Sequence, residues 1–289
     1  MDERDWLILH ILYEKRNITK TGQTLFISQP ALTTRLRQIE DEVGAKLIYR
    51  SGKGIHFTPQ GEYLAKSSKE MLTRIQEIKD RITNMHEGVR GTLRIAATHY
   101  MTKYKLPRLL KLFKTNYPQM EFKVNTVWSK EVLNLVNTQE AHIGFMRGEY
   151  SWPDERKLLF EETMCIASKE PVVIQSLPKL PRISYRTDES VQLLIDSWWR
   201  ENFTVPPSIS MEVDRLDTCK DMVENGHGYA IMGSMILHKT DDVYKIVIRD
   251  KNNQPVMRRT WMIYQKESLS INAVRAFVDF SDTIDYLEL

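Results

Sequence analysis

Between Lys15 and Lys53 the chain carries eight basic side chains (Lys15, Arg16, Lys20, Arg35, Arg37, Lys46, Arg50, Lys53) against three acidic ones (Glu40, Asp41, Glu42). Such an excess over so short a stretch suits a phosphate-facing surface, although a merely solvated face also accounts for it. The imbalance is local. Residues 1–91 hold 15 basic and 12 acidic residues, whereas residues 92–289 hold 26 of each. A second kind of chemistry centres on Arg147, which follows the apolar run His142–Met146. A cation at the end of a buried strand is costly unless paired, so either a ligand carboxylate or an internal Asp or Glu must meet it. Thr98, His99 and Tyr100 follow another apolar run, where their polar groups can face a ligand or serve as ordinary loop and cap chemistry.

Catalytic and metal constellations are missing from the pattern. The seven histidines are scattered without HxxxH or Cys/His zinc spacing, and no GxSxG elbow, Walker loop or compact Ser/His/Asp set occurs. Gly226 and Gly228 lack GxGxxG spacing. Cys219, on a predicted helix, reads as a small buried apolar residue rather than a nucleophile. The expectation is a protein that is not an enzyme and that needs neither metal nor cofactor.

The basic stretch needs a scaffold, and the flanking residues supply one. Trp6 to Leu12 form a first helix, apolar nearly all round and expected to be largely buried. Thr19 can cap a short second helix, Lys20–Leu25. Ser28-Gln29-Pro30 then opens a third helix, with serine as cap and proline in the first turn. Leu32, Leu36, Ile39 and Val43 turn to the core, which leaves Gln29, Thr33, Thr34, Arg35, Arg37 and Gln38 on the outer face. Those side chains suit base edges and phosphates. Gly44 stops the helix. Leu47–Arg50 and Ile55–Thr58 read as two strands joined by the basic turn Ser51-Gly52-Lys53-Gly54. Together these elements make a winged helix-turn-helix; a trihelical protein-binding module is the alternative.

Thr58-Pro59 starts a long helix whose seam runs Leu64, Ser68, Met71, Ile75, Ile78, Ile82, Met85. Its four–three spacing is a heptad repeat, which asks for a partner helix and hence self-association; packing against the chain's own domains is the other reading. Gly88-Val89-Arg90-Gly91 breaks the helix as a hinge. From Thr92 onward strands and helices alternate over about 200 residues, which argues an α/β fold with ligands at strand carboxyl ends or between lobes. Trp198-Trp199 reads as core or interlobe packing, with ligand stacking as the alternative.

The 289 residues, 42 % hydrophobic and 27 % charged, suffice for about two folding units. No stretch approaches the roughly 20 apolar residues of a membrane span. The start MDERDWLILH is acidic before a short apolar run, unlike a secretory signal, and two cysteines make no disulfide framework. A cytoplasmic location is expected.

The stretch Trp6–Gly61 resembles the LysR-type transcriptional regulators. It carries Ile27-Ser28-Gln29-Pro30-Ala31-Leu32-Thr33, Ile39-Glu40-Asp41-Glu42-Val43-Gly44-Ala45-Lys46-Leu47, Arg50 and Thr58-Pro59-Gln60-Gly61. Thr21-Gly22 stands where the family usually has two alanines, a change expected to loosen the second helix. Weaker family patterns continue at Gly91–Ile95, Leu106-Pro107 and Gly226–Ala230. The resemblance implies a regulator that binds promoter DNA as a dimer or tetramer. Its implied organisation is an α+β winged helix-turn-helix (1–58), a linker and dimerisation helix (59–87), a hinge (88–91) and an α/β effector domain (92–289). That last domain is implied to be two-lobed and periplasmic-binding-protein-like, with lobe I at about 92–162 and 266–289 and lobe II at about 163–265.

DNA contacts are then expected from Gln29, Pro30, Thr33, Thr34, Arg35, Arg37, Arg50 and Lys53, and dimerisation from Leu64, Met71, Ile75, Ile78 and Ile82. His142–Gly148, Trp198-Trp199, Val213-Asp214, Asp217–Lys220 and Arg258–Trp261 are similar to the citrate-responsive catabolite control regulators of Gram-positive bacteria. That likeness implies a polycarboxylate effector such as citrate facing Arg147 and Arg258, with Thr98, His99, Tyr100 and Ser129 around it. His99 and Tyr100 replace smaller residues of that group, and Arg259 adds a charge.

Overall fold

Asp2 and Asp5 cap each other's backbone at the first helix, α1 (Glu3–Lys15), in a reciprocal capping box. In this computed structural model, which describes residues 1–51, 54–84, 88–238 and 242–289, the chain divides into two units, Met1–Gly88 and Val89–Leu289. Within the first, α1 buries Ile8, Leu9 and Leu12 but leaves Leu7 exposed, so it is one-sided rather than buried all round. The polar residue it buries is Asp5.

The second helix, α2 (Ile18–Leu25), is capped by Asn17, whose side chain accepts from the Lys20 amide, and not by Thr19. Gly22 does not loosen it. A Cβ there would lie 2.6 Å from the Ile27 carbonyl oxygen, so the close turn into the next helix requires glycine. The third helix, α3 (Gln29–Val43), starts at the Ser28 cap and ends at Gly44, which takes the left-handed conformation. Its core face adds Leu32, Leu36 and Ile39 to the α1 residues.

Buried Glu40 accepts from the amides of Leu47 and Ile48 and from Lys46, which fixes the end of α3 to the wing. The wing strands β1 (Ile48–Ser51) and β2 (Gly54–Phe57) pair antiparallel. The long helix α4 (Pro59–Asn84) begins under Thr58, whose hydroxyl accepts from the Gly61 amide. Along its seam half-buried Leu64 packs against the core of this unit and Ser68 is buried, so this part of the seam is engaged at least partly by internal packing. Farther along, Met71, Ile78 and Ile82 are exposed and Ile75 is half-buried. Met85 lies outside the described residues.

The second unit is built on a seven-stranded sheet. β3 (Gly91–Ala97), β4 (Met120–Thr126) and β5 (Ile143–Arg147) run parallel, in the order β4-β3-β5. A short π-helical turn, Met101–Lys105, leads into α5 (Leu106–Asn116), and α6 (Ser129–Asn137) connects β4 to β5. The element that decides the layout is β6 (Glu155–Ser168), a strand of 14 residues. Its first half pairs antiparallel with β11 (Met257–Tyr264), and its second half pairs with β9 (Ala230–Gly233) and β10 (Tyr244–Val247).

The smaller parallel pair β7 (Arg182–Tyr185) and β8 (Ile209–Val213) carries α7 (Glu189–Asn202) and α8 (Leu216–Glu224), and α9 (Asn272–Asp282) closes the chain. Sequence assigns residues 163–265 to lobe II, but β11 belongs with lobe I, because Thr260 to Tyr264 pair with Arg147 to Ile143 of β5. Trp198 and Trp199 are core residues of the other lobe, their indole N–H groups donating to the carbonyls of Arg249 and Val205. Burial pushes the Cys165 and Cys219 thiols up to about 11 and about 12, which leaves no thiolate at neutral pH.

Asp5, at 0 % exposure, receives two hydrogen bonds from the Arg35 guanidinium, Nε to Oδ1 at 2.6 Å and Nη2 to Oδ2 at 2.7 Å. Burial raises the Asp5 carboxyl, but the bonds from Arg35 and from the Asp2 amide outweigh it and hold the group low. A carboxyl held low stabilises the fold above its unfolded range and loses that contribution as pH falls through the folded value. The first unit should therefore weaken below about pH 4, and Asp5→Asn should flatten that acid limb in thermal melts. Arg35→Ala should lower the melting temperature at neutral pH by stranding Asp5. Wild-type melting in Arg35→Ala would remove this pair from the stability argument.

Candidate functional site

On α3 Gln29, Pro30, Thr34, Arg37 and Gln38 are exposed, as are Ala31, Asp41, Glu42 and Val43, with Thr33 half-buried. This follows from the 3.6-residue period, which sends Leu32, Leu36 and Ile39 inward. Val43, expected on the core face, lies outside it. Arg35 departs from the expectation. Its guanidinium is committed to Asp5 and also donates to Gln38, so it braces α3 against α1 instead of presenting a free cation to phosphate. The backbone of Arg50 pairs with Ile55 in the wing, while Lys53 lies outside the described residues.

The effector candidates gather at the carboxyl ends of parallel strands, where open α/β sheets place their ligand crevices. Thr98, His99 and Tyr100 follow β3, Arg147 ends β5, Tyr185 ends β7, and Arg215 and Asp217 lie at the start of α8. With Arg258 of β11 they line a cavity of about 230 Å³. That is below the roughly 300 Å³ at which pockets for drug-sized ligands begin, so the space suits a small molecule.

The floor of the cavity is cationic. Arg147 is 1 % exposed and Arg258 5 %. The Arg147 guanidinium carbon lies 3.8 Å from the centre of the Tyr100 ring. Glu162 of β6, the register partner of Arg258, places Oε1 against Arg147 Nη2 and 4.0 Å from Arg258 Nη1. Its other oxygen accepts from the Met235 amide at 3.0 Å. Room for this carboxylate exists because Gly233 opposite has no Cβ; one there would come within 2.5 Å of it.

Glu162 is the carboxylate nearest the two guanidiniums, and Asp188, buried in the cavity wall, acts on both as well, so two carboxylates balance the two cations. Burial, and for Arg147 the neighbouring Arg258 charge, weakens the hold of both guanidiniums on their protons. The Nε atoms of both arginines, the Thr98 hydroxyl and the Tyr185 hydroxyl are buried without hydrogen-bond partners. Buried polar atoms are normally satisfied, and acceptor oxygens in the cavity would satisfy these.

The rim is ion-paired. Lys103 meets Asp217, and Arg215 contacts both Asp217 and the His99 ring. Burial alone would raise the Asp217 carboxyl; Lys103, the Thr218 amide and Arg215 bring it down to about 2. Burial, then the Arg215 charge, lowers His99 and keeps its ring neutral near pH 7.

Ser129 does not join the site. It is fully buried, its amide and hydroxyl donate to Asp188 at 2.8 and 3.0 Å, and its hydroxyl accepts from the Arg147 amide at 3.1 Å. It therefore holds Asp188 and the end of β5 from behind. The internal-pairing alternative for Arg147 is realised through Glu162. Sequence reasoning missed Glu162 because the run Glu155–Phe160, Glu-Arg-Lys-Leu-Leu-Phe, does not alternate polar and apolar residues and so carries no strand signal, although its exposure alternates in the fold. Tyr185 and Arg215 reach the cavity only through tertiary packing. Among the described residues no group of three or more His, Cys, Asp or Glu side chains is placed to hold a metal ion, and no helix is long and apolar enough to cross a membrane.

Comparison with known proteins agrees with both halves of this architecture. Residues 4–62 match the family described as bacterial regulatory helix-turn-helix protein, lysR family, and residues 86–283 match the LysR substrate binding domain. The chain is 41 % identical over 280 residues to the uncharacterized HTH-type transcriptional regulator YraN of Bacillus subtilis, covering 97 % of each chain. It is 31 % identical over 281 residues to the uncharacterized HTH-type transcriptional regulator YkuM of the same organism, covering 96 % of each. In fold it is similar to full-length CbnR complexed with target DNA (TM-score 0.66, 19 % identity, 98 % and 99 % coverage). It is likewise similar to the Vibrio cholerae virulence activator AphB (TM-score 0.62, 17 % identity, 99 % and 100 % coverage). These relatives are transcriptional regulators and not enzymes, and this chain belongs with them to the LysR family of DNA-binding, ligand-responsive regulators.

Proposed function

We propose that this regulator reads promoter DNA with the outer face of α3 and the wing, self-associates through α4, and is tuned by a small polycarboxylate such as citrate. The observation that carries the effector reading is the pair of buried guanidiniums whose Nε groups lack partners at the cavity floor. A carboxylate accepts such donors in pairs, and a guanidinium fork matches its plane. The Thr98 and Tyr185 hydroxyls offer further bonds to the same ligand, while His99 and Arg215 at the rim can meet a second carboxylate. Ser129 has no direct role in this reading; it positions Arg147.

The acid switches the protein only if it prefers one arrangement of the lobes to another. Glu162 gives such a preference a physical basis, because it links Arg147 on β5 to the Met235 amide just past β9. A ligand carboxylate competes with Glu162 for Arg147 and so acts on the attachment between lobes.

For the DNA face, Arg37 and Arg50 are the phosphate contacts, whereas Gln29, Pro30, Thr33 and Thr34 meet bases. For the assembly, Met71, Ile75, Ile78 and Ile82 form the seam, with Leu64 contributing less because part of its surface packs internally.

Calorimetric titration of citrate into the full chain should show binding that Arg147→Ala and Arg258→Ala each weaken roughly ten- to a hundredfold, at about 1.5–3 kcal/mol per charged hydrogen bond. Glu162→Gln, which removes the competing charge, should strengthen binding of citrate more than that of a monocarboxylate. Citrate binding that is indifferent to both arginines would place the effector elsewhere. For DNA, Arg37→Ala should weaken binding to all duplexes and reduce the salt slope by about one. Gln29→Ala should change sequence preference at about 1–3 kcal/mol. Equal affinities across a salt series would contradict the α3 assignment. Ile75→Asp with Ile78→Asp should dissociate the oligomer in light scattering, since paired interfaces exclude unpaired charge; an unchanged mass would exclude the seam.

A further inference from the structure

Phe26 is the most exposed large apolar side chain among the described residues, at 97 %. It ends α2 in the left-handed conformation, φ 55°, with its amide donating to the Gly22 and Gln23 carbonyls. That conformation is unfavourable for a bulky residue and is better tolerated by asparagine. Neither the turn nor the core needs the ring. Gly22 sets the close approach of the turn, and the flanking Leu25 and Ile27 pack against the core while Phe26 does not. A strained backbone and an exposed aromatic ring are thus maintained together at one position without benefit to the fold.

The setting indicates what the ring meets. Phe26 stands two residues before the Ser28 cap of α3, beside exposed Gln29 and Pro30, and residues 23–34 contain no carboxylate. In helix-turn-helix proteins the amino end of the second helix meets base edges and the first helix crosses the backbone, which places the turn between them at the groove. The apolar group that the major groove offers is the thymine C5-methyl. We propose that Phe26 is a sequence-reading residue that packs on a thymine methyl beside the bases met by α3. This inference rests on the recognition face proposed above.

The test uses the full chain and a random-sequence duplex pool from which the wild type enriches its preferred site. Phe26→Asn relieves the left-handed strain, so its melting temperature should equal or exceed that of the wild type. It should nevertheless bind the enriched duplex about tenfold more weakly, as Phe26→Ala should. Replacing each thymine in turn by uracil, which removes only the methyl, should weaken the wild type at one position per half-site. At that position Phe26→Asn should be indifferent.

Wild-type affinity in Phe26→Asn, or uracil penalties identical in both proteins, overturns the proposal and assigns the ring to a protein partner or to no partner. If Gln29→Ala and Arg37→Ala still weaken binding in that case, the recognition face survives and only the Phe26 contact falls. If those variants also bind normally, or the wild type enriches no sequence, the recognition face falls with it.

Discussion

Two guanidiniums buried side by side constrain the whole effector unit. Arg147 and Arg258 carry like charge into a water-poor interior, an arrangement that is unstable without a counter-charge. Glu162 supplies one negative charge beside them and buried Asp188 a second, at the base of an open cavity. The strand layout brings Arg147, Arg258 and Glu162 together. β5 ends at Arg147, β11 crosses beside it with Arg258, and β6 runs antiparallel to β11 so that Glu162 opposes Arg258 in register. A Cβ at Gly233 on the far side would come within 2.5 Å of that carboxylate and would have to displace it. Because β6 continues past Glu162 to pair with β9 and β10, the charge cluster lies where one lobe's sheet passes into the other's.

An ion pair of a different kind shapes the DNA-binding unit. Asp5 is buried at the start of α1 and would be costly there alone; Arg35 reaches in from α3 with two aligned hydrogen bonds. The pair fixes the angle between the helix that builds the core and the helix that carries the outward residues. Glu40 does the corresponding work at the other end of α3, holding the amides of the wing strand. One side chain that seemed a phosphate contact is therefore part of the support, which leaves the outward face of α3 with one uncommitted cation fewer.

The two clusters differ in what remains unsatisfied. Around Asp5 and Glu40 the hydrogen bonds close, as expected of elements that must be rigid. Around Arg147 and Arg258 both Nε groups and two nearby hydroxyls have no partner among the described residues and are left for oxygens that enter the cavity. Rigidity in one unit and incompleteness in the other match the division of labour in a ligand-responsive regulator.

Local chemistry made much of this legible in the sequence. The Ser28 cap, Pro30 and Gly44 bound α3 because capping and helix termination depend on adjacent residues, and the period of Leu32, Leu36 and Ile39 sets its inner face. Alternating strands and helices after Gly91 indicate the α/β class for the same reason, and a buried strand ending in arginine marks Arg147 as a cation that must find a partner. Tertiary structure alone decided what opposes what. Arg35 and Asp5 are 30 residues apart, Ser129 and Asp188 are 59 apart, and nothing in either neighbourhood announces the partner. Exposure of a polar helix position is a periodic property, whereas the partner of a long charged side chain depends on the packing of a second element. Long-range antiparallel register likewise placed β11 in lobe I and Glu162 beneath the arginines, because strand pairing joins residues by backbone hydrogen bonds that leave no local signature.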